Sequence, residues 1–420
     1  MKKNKLIYLY SICIILLPFL YQYSSPISFL SLGDFLIAIF TVISLLYLIF
    51  KRGKINFFIP IMLLAILLVF LTILTSFGSP FYIFFDSFTL FLKIVLYCLV
   101  IFVSINIFDF SLVKRIYIKL CIVFCIYLII QVVYTKITNK YLPICINNDW
   151  LFSWEKKPKD LAYYYSMYGS FRPSSLFVEP GYFALYVIPC LIICLISPKI
   201  EDHNMKISLL ISFSLILSTS GAGIGIGFII WGLFLVTKIA YIKNKKIYIL
   251  PIAFFLILTF GISIFIFLLF KTNIFERVFG GSFYARIVRG FLIYDTLDFK
   301  YKILGVGLNN VANYLNFYCI STPYDEANLN LGSTFSTYLN QFGILGSFAL
   351  IMFMIYLVYI SRKNYVSFVL CLYFIIYIVF EDVLFNFRMG FMLSIMLYYT
   401  KYSKHNVYTE NIGDLYEYRN

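Results

Sequence analysis

The chain has 420 residues, of which 62% are hydrophobic and only 13% charged, with a formal net charge of +15. A mean hydropathy of +0.91 excludes an ordinary soluble domain. The charge does not point to nucleic acid, because Lys and Arg fall in short clusters between apolar runs, as topology determinants do.

Apolar runs of about 20 residues, the length of a bilayer-crossing helix, recur along the whole chain. They predict an all-α, polytopic membrane protein, one transmembrane domain over residues 1–420 with about 12 transmembrane helices. The predicted spans are 6–23, 29–50, 56–77, 84–108, 115–134, 181–198, 205–219, 221–240, 247–270, 338–360, 364–381 and 386–400. The first run has basic flanks (Lys2, Lys3, Lys5) and lacks a small-residue cleavage site, so it reads as a retained helix. The spans at 205–219 and 221–240 have almost no linker and are open to reading as one broken element.

Basic clusters recur at every second connection: Lys51, Arg52 and Lys54; Lys114 and Arg115; Lys199 and Lys206; Lys243, Lys245 and Lys246; Arg362 and Lys363. Together with the basic residues near both ends, they place both termini in the cytoplasm by the positive-inside rule. Two of the opposite connections are long, residues 135–180 and 271–337, and are expected to be extracytoplasmic.

Chemistry-bearing residues follow in chain order. Lys93, with Asp86, lies within an apolar span, where a charge needs a partner or a wet cavity. The first long loop ends in FRPSSLFVEPGYFALY, with Arg172 ahead of a helix that Pro180 is suited to open. An arginine beside an outward helix N-terminus suits a phosphate. Glu179 is either a base or an acid that favours the helix dipole. The glycines of ILSTSGAGIGIGF, residues 216–228, lack the lysine and the strand context of a nucleotide-binding loop. They let helices, or a lipid chain, approach the backbone closely.

The second long loop carries Lys271, Arg277, Arg286 and Arg289 against a single acid, Glu276. If residues 282–294 are helical, Arg286 and Arg289 share a face, a like-charge pairing that costs roughly 0.2–0.5 kcal/mol. Guanidinium forks at such a place suit phosphate, and headgroup contact is the alternative. ILGVGLNN then leads to Asn309 and Asn310, and GSTFSTYLNQFGILGSF opens a late span near Tyr338. EDVLFNFRMGF offers Glu381, Asp382 and Arg388, an ion pair or a cavity lining.

Of nine cysteines, only Cys145 and Cys319 lie outside apolar runs, one in each long loop, where a disulfide is an open option. His203 and His405 both fall on the cytoplasmic side, and no Ser-His-Asp set, zinc site or P-loop is available.

In order and placement, these segments resemble the bacterial O-antigen polymerase and O-antigen ligase superfamily. The segments are Arg172 through EPGYFALY, the STSGAG turn, SFYARIVRG followed by ILGVGLNN, and TYLNQFGILG. The resemblance covers most of the chain in topology and these short segments in sequence. It implies an enzyme in the bacterial cytoplasmic membrane whose substrate is an undecaprenyl-pyrophosphate-linked oligosaccharide. The growing glycan passes to a new repeat unit outside the membrane, without metal or cofactor. It also implies the lipid bilayer and a chain-length regulator as partners, and no nucleic acid. By the same resemblance, Arg172 and Arg286, with Arg277 and Arg289 beside them, hold the pyrophosphates. Lys93, Asn309 and Arg388 are further candidates for substrate contact, and Glu179 is the candidate base. Ligase members carry a histidine before the late helix where this chain has Gly332 and Ser333, which favours polymerase. A flippase of the lipid-linked unit and a ligase stay as alternatives.

Overall fold

The computed structural model describes residues 5–27, 30–51, 56, 58–140, 142–143, 172–197, 204–242, 288–320 and 333–406. Every predicted span except 247–270, which lies outside these residues, coincides with a helix. The first eight are α1 (Lys5–Leu20), α2 (Leu32–Lys51), α3 (Ile59–Ser76), α4 (Phe84–Ile107), α5 (Phe110–Thr138), α6 (Pro180–Ile196), α7 (Met205–Leu217) and α8 (Gly221–Ile242). The region expected as the second long loop contains α9 (Arg289–Thr296), α10 (Phe299–Leu304) and α11 (Val311–Phe317). The chain continues through α12 (Thr334–Ser361), α13 (Tyr365–Phe380) and α14 (Phe387–Asn406). The suspected broken element is two helices, α7 and α8, joined at Thr219 with a positive φ of 54°.

The helix starts follow from local chemistry. Ser31 and Asp34 cap α2 reciprocally: the Asp34 amide donates to the Ser31 hydroxyl at 2.9 Å and the Ser31 amide to the Asp34 carboxylate at 3.4 Å. Asn204, Ser333 and Asn364 accept from amides in the first turns of α7, α12 and α13. Pro180 stands at the first position of α6, where its missing N–H costs nothing.

α6 is apolar on all sides and is buried from Phe183 to its end, the behaviour of a helix at the centre of a bundle. The outer helices are the reverse. On α5 the stripe Val123, Ile126, Ile130, Val133 and Ile137 is exposed at helical spacing. An apolar face of this kind requires an apolar solvent. Among the described residues, the segments Leu32–Phe50, Ile59–Ser76, Ser87–Ile107, Phe110–Thr138 and Thr334–Ser361 are long and apolar enough to cross a membrane.

The connections predicted to face outward gather at one end of the bundle. Gln22, after α1, donates to the Leu176 carbonyl at 2.7 Å and accepts from the Val178 amide at 3.0 Å. Gln131 of α5 bonds both ways with Ser175. Thr334, at the start of α12, donates to the Glu381 carbonyl at 2.8 Å and accepts from the Val383 amide at 2.8 Å. These bonds satisfy backbone groups in the crossings and fix how the segments sit over the helices.

Candidate functional site

Two of the glycine motifs interlock. α12 breaks at Gly343, whose φ of 62° and ψ of −159° are closed to other residues. The break frees the carbonyls of Asn340 and Gln341, which accept from the Val306 amide at 3.0 Å and the Gly307 amide at 2.9 Å. Gly305 (φ 80°) lies so close that a β-carbon there would stand 2.1 Å from the Gln341 carbonyl oxygen. A β-carbon on Gly343 would stand 2.3 Å from the Ile303 carbonyl oxygen. ILGVGLNN is thus seated in the kink of TYLNQFGILG by backbone contact on both sides.

Asn310 ties this turn to the bundle. Fully buried, it donates to the Ser87 hydroxyl and to the Leu308 carbonyl, both at 2.7 Å, and accepts from the Ile83 amide at 2.9 Å. α9 is fixed to α12 in a similar way. Asn340 donates to the Gly290 carbonyl at 3.0 Å, and a β-carbon on Gly290 would meet Ser336 at 2.2 Å. Phe81, Tyr301 and Tyr314 form a small aromatic core beneath the short helices.

These contacts border a partly open cavity of about 420 Å³. Its walls are α4 (Thr89, Lys93), α9 (Arg289, Ile293), the turn with Asn309, the first half of α12 (Ser336–Phe342) and the connection carrying Asp382. Arg289 is almost wholly buried there, at 2% exposure. The Tyr338 hydroxyl and the Asn340 Oδ1, both on residues of this wall, are buried without a hydrogen-bond partner among the described residues. Buried polar atoms of this kind retain capacity for a ligand or water.

Beside the cavity, Arg388 Nη1 pairs with Glu381 Oε2 at 3.4 Å and donates to the Asp382 carbonyl. Its guanidinium lies 4.9 Å from the centre of the Tyr182 ring. Arg388 and Glu381 therefore form the pair that the sequence offered, and Asp382 is left toward the cavity. Asp382 is an exposed residue of that wall. Desolvation pushes its carboxyl above the ordinary carboxylate range; Arg388, Lys93 and the Thr334 hydroxyl act against that shift.

Of the residues singled out in the sequence, Lys93, Arg289 and Asn309 come together in one cavity. Arg172 is half-buried and donates to the Thr219 carbonyl at 3.5 Å, which joins FRPSS to the STSGAG turn. Glu179 is the exposed N-cap residue of α6, makes no side-chain cap bond and is not part of the cavity wall. Arg277 and Arg286 lie outside the described residues, as does Cys145 of the considered disulfide. The helix anticipated over residues 282–294 is seen from Arg289 to Thr296. α12 starts at Thr334, one turn before the expected Tyr338, because Ser333 caps it. Asp382 and Asn310 gain weight from the structure; the signal for Asp382 was two adjacent acids sharing one nearby arginine.

No curated protein matches the chain. The model of a family described as WcaD colanic acid polymerase matches residues 13–402, so nearly the whole bundle and its cavity fall within the match. The chain belongs to this family of polysaccharide polymerases.

Proposed function

We propose that the protein polymerises lipid-pyrophosphate-linked oligosaccharide repeat units at the outer face of the cytoplasmic membrane, and that the cavity holds the reacting pyrophosphate. The observation that carries this is the convergence of Arg289 and Lys93, from a loop helix and a bundle helix, on one partly open cavity. A guanidinium and an ammonium at low dielectric favour the dianionic pyrophosphate and the charge that grows on it as the glycosidic bond breaks. A volume of about 420 Å³ suits the reacting end of such a substrate, with the lipid and the polymer outside. Arg172, fixed at the STSGAG turn, is suited to a second anionic group near α6. The family's chemistry and the exposed apolar faces of the outer helices both fit a substrate carried on a lipid. In this reading no metal or cofactor takes part.

The test is reconstitution. The purified chain in proteoliposomes is given the lipid-linked repeat unit extracted from a host strain that lacks it. Polymer should form with release of undecaprenyl pyrophosphate; absence of polymer at any substrate concentration would reject the reading. The outer placement has its own measurement. Cys319 is exposed beyond α11, whereas the other described cysteines are buried or half-buried. In a Cys145→Ser background, a membrane-impermeant maleimide should label Cys319 in intact spheroplasts. Labelling only after permeabilisation would put the α9–α11 segment inside.

A further inference from the structure

We infer that the Asp382 carboxylate is the general base of the transfer, taking the proton from the attacking hydroxyl of the incoming repeat unit. The inference rests on the polymerase reading and adds the residue that moves the proton. Glu381 occupies Arg388, so the adjacent carboxylate is not consumed by that pair. Asp382 stands on the cavity wall with Lys93 and Arg289, so a pyrophosphate held by these cations lies beside a proton acceptor. Thr334 bonds the backbone on both sides of Asp382, to the Glu381 carbonyl and from the Val383 amide, which fixes the main chain that carries the carboxylate. Glu179, the other acid considered, is outside the cavity.

The step balances without a further reactant. The acceptor hydroxyl oxygen bonds to the anomeric carbon of the donor glycan. The bond from that carbon to the pyrophosphate oxygen breaks, and its electron pair leaves with the lipid pyrophosphate. The hydroxyl proton passes to an Asp382 oxygen and then to solvent. The charged and titratable groups around this base are Arg388 from α14 and Lys93 from α4, which with the Thr334 hydroxyl favour its charged form, its neighbour Glu381, Tyr338 of α12, Tyr21 after α1, and Arg289 of α9 on the same wall. Desolvation by the surrounding protein keeps the carboxyl easier to protonate than an ordinary aspartate, which brings its basicity nearer to the working pH.

The experiment compares wild type, Asp382→Asn and Asp382→Glu in proteoliposomes. It follows polymer formation from the extracted lipid-linked repeat unit and, separately, binding of undecaprenyl pyrophosphate. General-base loss predicts a fall of about 10²–10⁴-fold in kcat for Asp382→Asn. Binding of undecaprenyl pyrophosphate should be unchanged or tighter, since a negative charge has left a cationic cavity. The wild-type rate should fall as pH drops through a midpoint above about 3.9, the free aspartate value, and Asp382→Glu should keep such an acid limb. An Asp382→Asn enzyme within fivefold of wild type, or one that keeps the wild-type acid limb, overturns the inference. If Asp382→Asn loses binding through misfolding, the wild-type acid limb and the Asp382→Glu activity decide, and absence of both rejects the base. Failure of wild type to make polymer rejects the polymerase reading instead.

Discussion

Arg289→Ala is expected to stop polymer growth while single lipid-linked repeat units accumulate. The side chain is 2% exposed and on the wall of the charged cavity, so its charge acts at low dielectric. Losing one such donor to developing negative charge lowers kcat by about 10²–10³-fold. Arg289→Lys should recover little of that, because an ammonium cannot present the planar fork that spans two phosphate oxygens. The readout is polymer length on a gel beside the pool of lipid-linked units, with the detergent-solubilised Tm as a folding control. Normal polymer in Arg289→Ala would remove the pyrophosphate role from this cavity.

Gly343→Ala is expected to cause a large loss of stability. Two effects combine. The backbone sits at φ 62° and ψ −159°, a region that costs a residue with a β-carbon about 1–3 kcal/mol. The new methyl would also meet the Ile303 carbonyl at 2.3 Å, and overpacking of this order costs about 1–3 kcal/mol more. Against a total stability of about 5–15 kcal/mol, most molecules should fail to reach the membrane folded or should melt much earlier. Gly305→Ala pushes on the same contact from the other side, so its effect should be similar and the double variant less than additive. Gly225→Ala, where a β-carbon meets nothing within 4 Å, is the control and should be near neutral. A Gly343→Ala protein with wild-type Tm would show that the kink is not held by this contact.

The candidate site was partly legible in the sequence. Lys93 stood out because a charge inside an apolar run needs a reason, and Arg289 because it was one of several basic residues with a single acid. Both lie in the cavity. Asn309 was picked from its glycine turn, and it too lies on the wall, although its neighbour Asn310 makes the bonds that hold the turn. Asp382 was read, with Glu381, as an ion-pair partner of Arg388 or as part of a cavity lining. Two adjacent acids and one arginine cannot be apportioned from the sequence, and the geometry gives Arg388 to Glu381.

By itself the sequence marked where the apolar helices among the described residues fall, since a run of about 20 apolar residues has few other solutions in a bilayer, but not the three short helices α9–α11. It also marked the segments that carry polar chemistry and the family to which they are similar. The tertiary structure alone decided that ILGVGLNN fits into the break at Gly343 and that α4, α9, α12 and the connection around Asp382 close on one cavity. These segments lie tens to hundreds of residues apart, and no local periodicity or propensity encodes their meeting. The positive-φ glycines permit it, but which backbone each glycine admits is settled only when the helices pack.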